Sequence, residues 1–367
     1  MTSRNGDEQN GNGNHRDRPT KAHGFSMTYT PKKQALLWEF LGRHIPVSWN
    51  ALQKARGQLR KGYVWVELTA GCGYSPDLPS MSGSPKIACD LLAHFSAKCP
   101  FDFIKAAFFE EAPGNYRILS RELIDLLGKK GIEVVDRGGY LRVSHYRKGL
   151  YLPDFSIWMK DQNHVDALDE ILRYSFLRSC EAYCGCFYLD SNGFGMDDEI
   201  AMYYLAKLTH SNPQVHYLDI LLHLGGTQNK RVRGVRETAR FGDWAPRPMG
   251  EYLDKFNKRN IYMSQPQANS QFTLFFLTNA DLNRMGMRFD WLRSIRSDEG
   301  RMWLDRFDRT VAKREEEPDG PSLPGPSAEV DTILDYPASV ARKVRVQRPI
   351  AGDEVERRAG HGDWSPG

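Results

Sequence analysis

The sequence predicts an α/β fold of the Rossmann-like, doubly wound type, with helices on both faces of a mostly parallel sheet. Short apolar segments of strand length alternate along the chain with segments of helical periodicity. A small-residue turn, residues 70–73, follows the first apolar segment. Acidic or polar side chains come directly after several apolar segments, where ligands of open α/β sheets bind. Strands separated by helices indicate βαβ units, whose right-handed crossovers give a parallel sheet.

Length and composition are those of a globular protein. A chain of 367 residues is long enough for one large α/β domain, because single cores stop growing at about 250–300 residues. The net charge of +4 permits contact with nucleic acid but does not require it. The sequence has no apolar run near the ~20 residues of a membrane span and no apolar signal core at its start. Six unevenly spaced cysteines indicate reduced thiols, so we expect a cytoplasmic protein.

Three regions are predicted along the chain. Residues 1–25 are polar and glycine-rich, and we expect a disordered tail. Residues 26–312 form the Rossmann-like domain, in which residues 225–271 are too long for an ordinary connection and are interpreted as an inserted subdomain or a functional loop. Residues 313–367 form a flexible, charged tail rich in proline and glycine, with one short helix around residues 331–343.

The elements of the domain follow from hydrophobic periodicity. Helices are predicted over residues 32–44, 84–97, 113–128, 165–179 and 196–209. Strands are predicted over residues 64–69, 105–110, 132–135, 186–190, 217–224 and 272–278. The segment 132–135 is expected to begin the third strand.

The turn after the first strand predicts a nucleotide-like ligand. Glu67 ends the apolar run, and Ala70, Gly71 and Gly73 make a turn that a ligand can approach closely. A dinucleotide fingerprint would need a third glycine at position 76, which is Pro76, so classical NAD binding is disfavoured. The remaining pattern, an acidic residue followed by Gly-x-Gly, is the one that S-adenosylmethionine-dependent methyltransferases place after strand one. The alternative is a tight turn that binds nothing.

Two further positions extend the predicted cofactor site. Glu110 follows the second strand, where a carboxylate can accept both hydroxyls of a ribose. The alternative is a carboxylate that caps the next helix. Ser84, in Gly83-Ser84-Pro85, can cap a helix whose exposed amides attract a carboxylate or phosphate. A capped helix without a ligand is the alternative there.

The end of the fourth predicted strand is the catalytic candidate. Asp190 and Asn192 lie in the turn Asp190-Ser-Asn-Gly, where a carboxylate and carbonyl oxygens can hold a target amine toward a methyl donor. A plain Asn-Gly turn is the alternative interpretation. Thr278 and Asn279, after the final strand, are placed at the same ligand-binding edge.

A basic cluster in the long excursion is the candidate nucleic-acid contact. Guanidinium groups bind phosphates in a bidentate way, and nearby aromatic residues, among them Tyr262, can stack on bases. The cluster consists of Lys230, Arg231, Arg233 and Arg236. A solvated charged face is the alternative. We predict no metal site, because Cys180, Cys184 and Cys186 lack a fourth ligand at workable spacing, and His223 is interpreted as structural.

The order of these motifs resembles a known family. Glu67-x-x-Ala70-Gly71-x-Gly73, then Gly83-Ser84-Pro85, then Phe109-Glu110, is similar to the three-Cys-motif partner family, over about residues 30–295. Glu67 stands where that family usually has an aspartate. The resemblance implies a methyltransferase-like fold of class I type and an S-adenosylmethionine site. It also implies a phage or mobile-element setting and a separately encoded partner protein with three cysteines.

Two functions follow as hypotheses. The leading one is an S-adenosylmethionine-dependent methyltransferase that acts on nucleic acid. The alternative is a non-catalytic protein of methyltransferase fold that binds a partner of a phage or mobile-element system. An intact glycine turn favours the enzyme, and the absence of prolines after Asp190 favours the binding protein.

Overall fold

The structure is a computed structural model. It describes residues 30–313 except for residues 55–58, 76–77, 138–139, 146–152, 174–175, 178–180, 191–195, 225–248, 267–272 and 285. Both predicted tails and the short helix predicted around residues 331–343 lie outside the described residues, apart from the start of the second tail at residue 313.

Helices and strands alternate along the described chain. The helices are α1 (Thr30–Gln53), α2 (Ser84–Ser96), α3 (Pro113–Lys129), α4 (His164–Arg173), α5 (Met196–Ser211), α6 (Pro213–Tyr217), α7 (Met249–Leu253) and α8 (Asp298–Lys313). The strands are β1 (Arg60–Glu67), β2 (Tyr74–Ser75), β3 (Leu78–Ser82), β4 (Phe103–Phe109), β5 (Ile132–Asp136), β6 (Tyr140–His145), β7 (Asp154–Lys160), β8 (Glu181–Asp190), β9 (Asp219–Leu224), β10 (Asn260–Ser264), β11 (Thr273–Thr278) and β12 (Leu292–Ser294).

Ten strands form one sheet, in the order β12-β10-β11-β9-β8-β1-β4-β7-β6-β5. The five central strands, β9-β8-β1-β4-β7, are parallel. Strand β11 is antiparallel to both β9 and β10, so β10 runs in the direction of the central strands. Strands β2 and β3 form a separate hairpin. The prediction of an α/β fold with a large, mostly parallel sheet is therefore confirmed.

Helices cover both faces of this sheet because β1 is apolar on both sides. Trp65 belongs to one core, with side chains of α1, α2 and α3 such as Phe40 and Leu92. Val64 and Val66 belong to a second core, which includes residues of α4, α5 and α8. Strands buried on both faces read as continuous apolar runs, which is why β1, β4, β8, β9 and β11 could be predicted from sequence.

The strand predicted to begin at residue 132 is confirmed, but it lies outside the parallel part of the sheet. Residues 132–135 belong to β5, which lies at an edge of the sheet and pairs antiparallel with β6. The third parallel strand is β7, which pairs with β4 and which the sequence analysis did not predict. Its sequence, Asp154-Phe-Ser-Ile-Trp-Met-Lys, carries charges at both ends and Ser156 within, so its apolar run is short. Tyr217, predicted to start a strand, ends α6 instead and is 70% exposed.

Part of the predicted excursion belongs to the sheet. Residues 260–264 form β10, between β11 and β12, and residues 249–253 form α7. Its other residues include 225–248, which lie outside the described residues. None of the helices among the described residues has both the length and the apolar content needed to cross a bilayer.

Candidate functional site

The glycine turn lies where the order of the parallel strands reverses. Along the chain the parallel strands are β1, β4, β7, β8 and β9, and β1 lies between β4 and β8 in the sheet. The Ala70 N–H donates to the Phe109 carbonyl at 2.9 Å, and the Leu68 N–H donates to the Tyr188 carbonyl at 3.0 Å. The turn is thus fixed to the ends of both neighbouring strands. In open α/β sheets this crevice is the ligand-binding position.

The two glycines of the turn have different surroundings. Gly71 has φ +65°, and a Cβ atom there would meet nothing within 4 Å. Gly73 has φ +83°, and a Cβ atom there would lie 2.9 Å from Leu119. The Gly73 carbonyl accepts a 2.8 Å hydrogen bond from the Gly83 N–H, which joins the turn to the start of α2. Gly73 is therefore required by packing, whereas Gly71 adjoins open space that a ligand could occupy.

Glu110 bridges the turn and the start of α3. Its Oε2 accepts a 2.7 Å hydrogen bond from the Gly71 N–H. Its Oε1 accepts hydrogen bonds from the Ala112 N–H at 3.1 Å and the Asn115 side chain at 3.2 Å. The carboxylate thus makes the capping contacts that the sequence analysis gave as the alternative. Since a carboxylate oxygen has two lone pairs, Oε2 keeps one, and a ribose diol would have to displace the Gly71 amide to bind through both hydroxyls.

Glu67 is part of the interior rather than of the surface. Its exposed fraction is 0%, and its carboxyl group accepts hydrogen bonds from the Ser84 hydroxyl at 2.5 Å and the Trp65 indole at 3.3 Å. Burial raises the pKa of Glu67 to about 8 against the opposing effect of these two hydrogen bonds. Glu67 is therefore mainly protonated at neutral pH and supports the turn from below.

Ser84 does not cap α2 as the sequence analysis expected. Gly83 is the N-cap residue, without a side-chain cap, and Ser84 is the first helical residue. Its hydroxyl donates to Glu67 because the close approach of Gly83 to Gly73 brings the helix start over the end of β1.

Asp190 lies in a buried cluster of charged groups at the end of β8. Its Oδ2 is 2.6 Å from the Lys33 ammonium, and its Oδ1 contacts Nδ1 of His223. Its backbone N–H donates to the Thr69 hydroxyl at 3.0 Å. Asp190 is 5% exposed, and although burial acts to raise its pKa, Lys33 and His223 hold that pKa well below its usual value. Asp190 is thus a carboxylate at neutral pH, while Asn192 lies outside the described residues.

The sequence analysis missed two members of this cluster. Lys33 was assigned no role, and His223 was interpreted as structural. His223 meets Asp190 because β8 and β9 are parallel neighbours in which these two residues are register partners. Burial lowers the pKa of His223, although Asp190 acts to raise it. The lowered pKa favours the neutral ring. The available signal for His223 was its position next to the end of one apolar strand, as Asp190 lies at the end of another.

Other predicted positions do not join the site. Thr278 and Asn279 lie at the opposite edge of the sheet, because β11 runs antiparallel to β9. Tyr262, in β10, packs on Phe276 of β11, with ring centroids 6.4 Å apart. The basic cluster at 230–236 lies outside the described residues. Within the described part of the chain, no group of three or more His, Cys, Asp or Glu side chains could hold a metal ion.

Comparisons with known proteins give structural neighbours only. No family model matches the chain, and no curated protein matches it. A protein of Legionella pneumophila from the DUF519 family is similar with a TM-score of 0.38 and 10% identity, over 69% of this chain and 89% of that one. Trm1 from Pyrococcus horikoshii, solved with S-adenosyl-L-methionine, is similar with a TM-score of 0.33 and 11% identity, over 73% of this chain and 62% of that one. Both similarities are weak, so we base the functional proposal on the geometry of the site.

Proposed function

We propose that this protein is an S-adenosylmethionine-dependent methyltransferase of class I type that acts on nucleic acid. The observation that carries the proposal is the open space beside Gly71, at the reversal of strand order and next to the carboxylate of Glu110. A ligand with a ribose diol fits this combination, because it can approach the backbone at Gly71 and one of its hydroxyls can donate to the lone pair left on Oε2 of Glu110.

The glycine turn favours a methyl donor over a dinucleotide. The third glycine of the dinucleotide fingerprint is replaced by Pro76. The cofactor residues of the proposal are Glu67, Ala70, Gly71, Gly73, Ser84 and Glu110. Glu67 and Ser84 shape the turn in this proposal, and Gly71 and Glu110 contact the ligand.

Asp190 is the group proposed to act in the transfer. S-adenosylmethionine supplies an electrophilic methyl group when it is bound. Asp190 is an ionised acceptor with a lone pair left on each oxygen, so it can hold an N–H of the acceptor in line for attack. Lys33 and His223 position this carboxylate by holding one oxygen each. Asn192, in the same turn, is proposed to assist Asp190.

A second function is favoured by the burial of Asp190. With 5% exposure and both oxygens bonded to protein groups, Asp190 also fits a purely structural ion cluster. The protein would then be a non-catalytic binding module of methyltransferase fold. The three-cysteine partner implied by the family resemblance is a proposed partner under either function.

A label-transfer assay separates the two functions. Wild-type protein is incubated with methyl-labelled S-adenosylmethionine and either DNA or RNA, in separate reactions. We expect transfer to one nucleic acid, and a loss of about 100-fold or more in Asp190→Asn with cofactor binding retained. The matched control is Asp219→Asn, since Asp219 also pairs with a histidine, His44, but lies at the start of β9.

The possible results of this assay have distinct meanings. Transfer by wild type and by the Asp219→Asn variant, but not by Asp190→Asn, supports the enzyme. Cofactor binding without transfer to either nucleic acid contradicts the enzyme and favours the binding module. A thermal melting curve recorded by circular dichroism verifies that each variant is folded.

A further inference from the structure

A concave surface lies at the opposite end of α1 from Lys33. We call it the basic groove; it has a volume of about 510 Å³ and is formed by the end of α1, the start of β10 and the segment after β11. Its lining residues are Val47, Asn50, Ala51, Lys54, Arg259, Asn260, Asn279, Ala280, Asp281 and Arg284. From Lys33 to Asn50 along α1 is about 25 Å at 1.5 Å per residue, so the groove is separate from the Asp190 cluster.

The groove carries more positive than negative charge. Lys54, Arg259 and Arg284 line it, against one carboxylate, Asp281. Lys54 and Arg259 are exposed, and neither has a carboxylate partner among the described residues. Arg284 has a single 3.5 Å contact with Asp281 and is 88% exposed. Three cations from three segments therefore face one concave space.

The backbone that presents these cations is held in place. Asn279 accepts a 3.2 Å hydrogen bond from the Arg259 N–H and donates to the His216 carbonyl at 2.8 Å. The Asn260 side chain donates to the Ala280 carbonyl at 2.9 Å. These amide groups connect the start of β10 to the end of β11, so the groove is preformed. Cations on a preformed surface lose less freedom when they bind a ligand.

From this arrangement we propose that the basic groove binds the phosphodiester backbone of a nucleic acid. Lysine and arginine at fixed spacing neutralise phosphates, and a guanidinium group can bind one phosphate through two hydrogen bonds. None of the described lining residues is aromatic, so no base would stack there and the contact would not depend on sequence. The apolar lining residues Val47, Ala51 and Ala280 have no side-chain acceptor that would repel a phosphate.

The inference rests on the nucleic-acid part of the proposed function and adds a contact surface to it. The groove does not require methyl transfer, so the two proposals can fail separately.

The test is the salt dependence of nucleic-acid binding. Fluorescence anisotropy of labelled single-stranded RNA and DNA is measured over a range of salt with the full chain. In the double variant K54Q/R259Q the slope of log K against log salt should fall by about 1.4, because each phosphate contact contributes about 0.7. The matched control is R137Q/R142Q, which removes two exposed arginines at the β5–β6 edge.

The outcomes decide between the groove and its alternatives. A slope reduced in K54Q/R259Q and unchanged in R137Q/R142Q supports the groove. Equal slopes in both variants, or no binding by wild type, overturn it. Loss of binding only on neutralising Lys230, Arg231, Arg233 and Arg236 would also overturn it, yet leave the proposed function intact.

Two further measurements keep the result specific. Competition with polyglutamate tests for general anion binding. If polyglutamate displaced the labelled nucleic acid as effectively as unlabelled nucleic acid does, the assignment to phosphodiesters would be overturned. Titration of S-adenosylmethionine into K54Q/R259Q should give wild-type affinity, since the groove lies about 25 Å along α1 from Lys33, the partner of Asp190. R284Q, at an exposed side chain, repeats the test should the double variant not fold.

Discussion

At the scale of single residues, the site combines two buried carboxyl groups whose pKa values are shifted in opposite directions. Glu67 has only neutral hydrogen-bond donors as partners, so burial raises its pKa to about 8. Asp190 contacts the Lys33 ammonium and His223. Their effect outweighs the rise that burial would cause and holds the pKa of Asp190 below its usual value. At neutral pH, therefore, the Glu67 carboxyl group is mainly protonated and the Asp190 carboxyl group is ionised.

Glu67 makes the stability of the protein depend on pH. Its pKa of about 8 in the folded state exceeds its value of 4.5 in the unfolded chain. The unfolded chain therefore releases this proton first, and the contribution to stability is lost as pH rises from about 4.5 to about 8, by at most about 1.4 kcal/mol per pH unit. We expect Glu67→Gln to remove this slope in urea unfolding measured across that range. Glu111→Gln, at an exposed carboxylate, is the control, and an unchanged slope in Glu67→Gln would contradict the assignment.

Lys33 is predicted to contribute several kcal/mol to the free energy of unfolding. Lys33→Met keeps the aliphatic part of the side chain but leaves the Asp190 carboxylate buried with His223 alone. Breaking a buried ion pair in this way costs about 3–5 kcal/mol. Urea unfolding at neutral pH measures this loss. Lys32→Met, at the exposed neighbouring position, is the control, and equal losses in the two variants would show that the ion pair is unimportant.

At the scale of elements, α1 connects the site to the opposite end of the sheet. Its first turn supplies Lys33, and His44 contacts the Tyr63 hydroxyl at 2.7 Å and Asp219 at 2.9 Å. The sequence predicted a helix over residues 32–44, but the structure extends it through Pro46 to Gln53. Its role could not be predicted, because contacts between residues as far apart as Lys33 and Asp190 are fixed by packing and leave no periodic pattern.

The contact between His44 and Tyr63 is predicted to fix α1 on β1. Tyr63→Phe leaves the buried His44 Nδ1 without its partner, which should cost about 1–3 kcal/mol in unfolding free energy. A double-mutant cycle with His44→Leu should give a coupling of about 0.5–3 kcal/mol. Additive effects of the two substitutions would contradict the contact. Phe101, which packs beside Tyr63 without a hydroxyl, offers Phe101→Leu as a packing control.

At the scale of the whole molecule, the order of the strands decides what meets at the site. The sequence predicted the apolar strands β1, β4, β8, β9 and β11, and hence the turn, Glu110 and Asp190 at one edge. It did not predict β7 or the antiparallel direction of β11, because direction and pairing depend on connections rather than on composition. That direction moves Asn279 away from the site and into the basic groove.

The central claim is that a methyl donor lies against the main chain at Gly71, and calorimetric titration with S-adenosylmethionine tests it most directly. Gly71→Val and Gly131→Val are a matched pair, because both glycines have positive φ, +65° and +72°, and open space at the Cβ position. Each substitution should cost a similar backbone strain, on the order of 1–3 kcal/mol. We expect wild type and Gly131→Val to bind, and Gly71→Val and Glu110→Ala to bind at least about tenfold more weakly. No binding heat with wild type, or wild-type affinity in Gly71→Val, would contradict the claim.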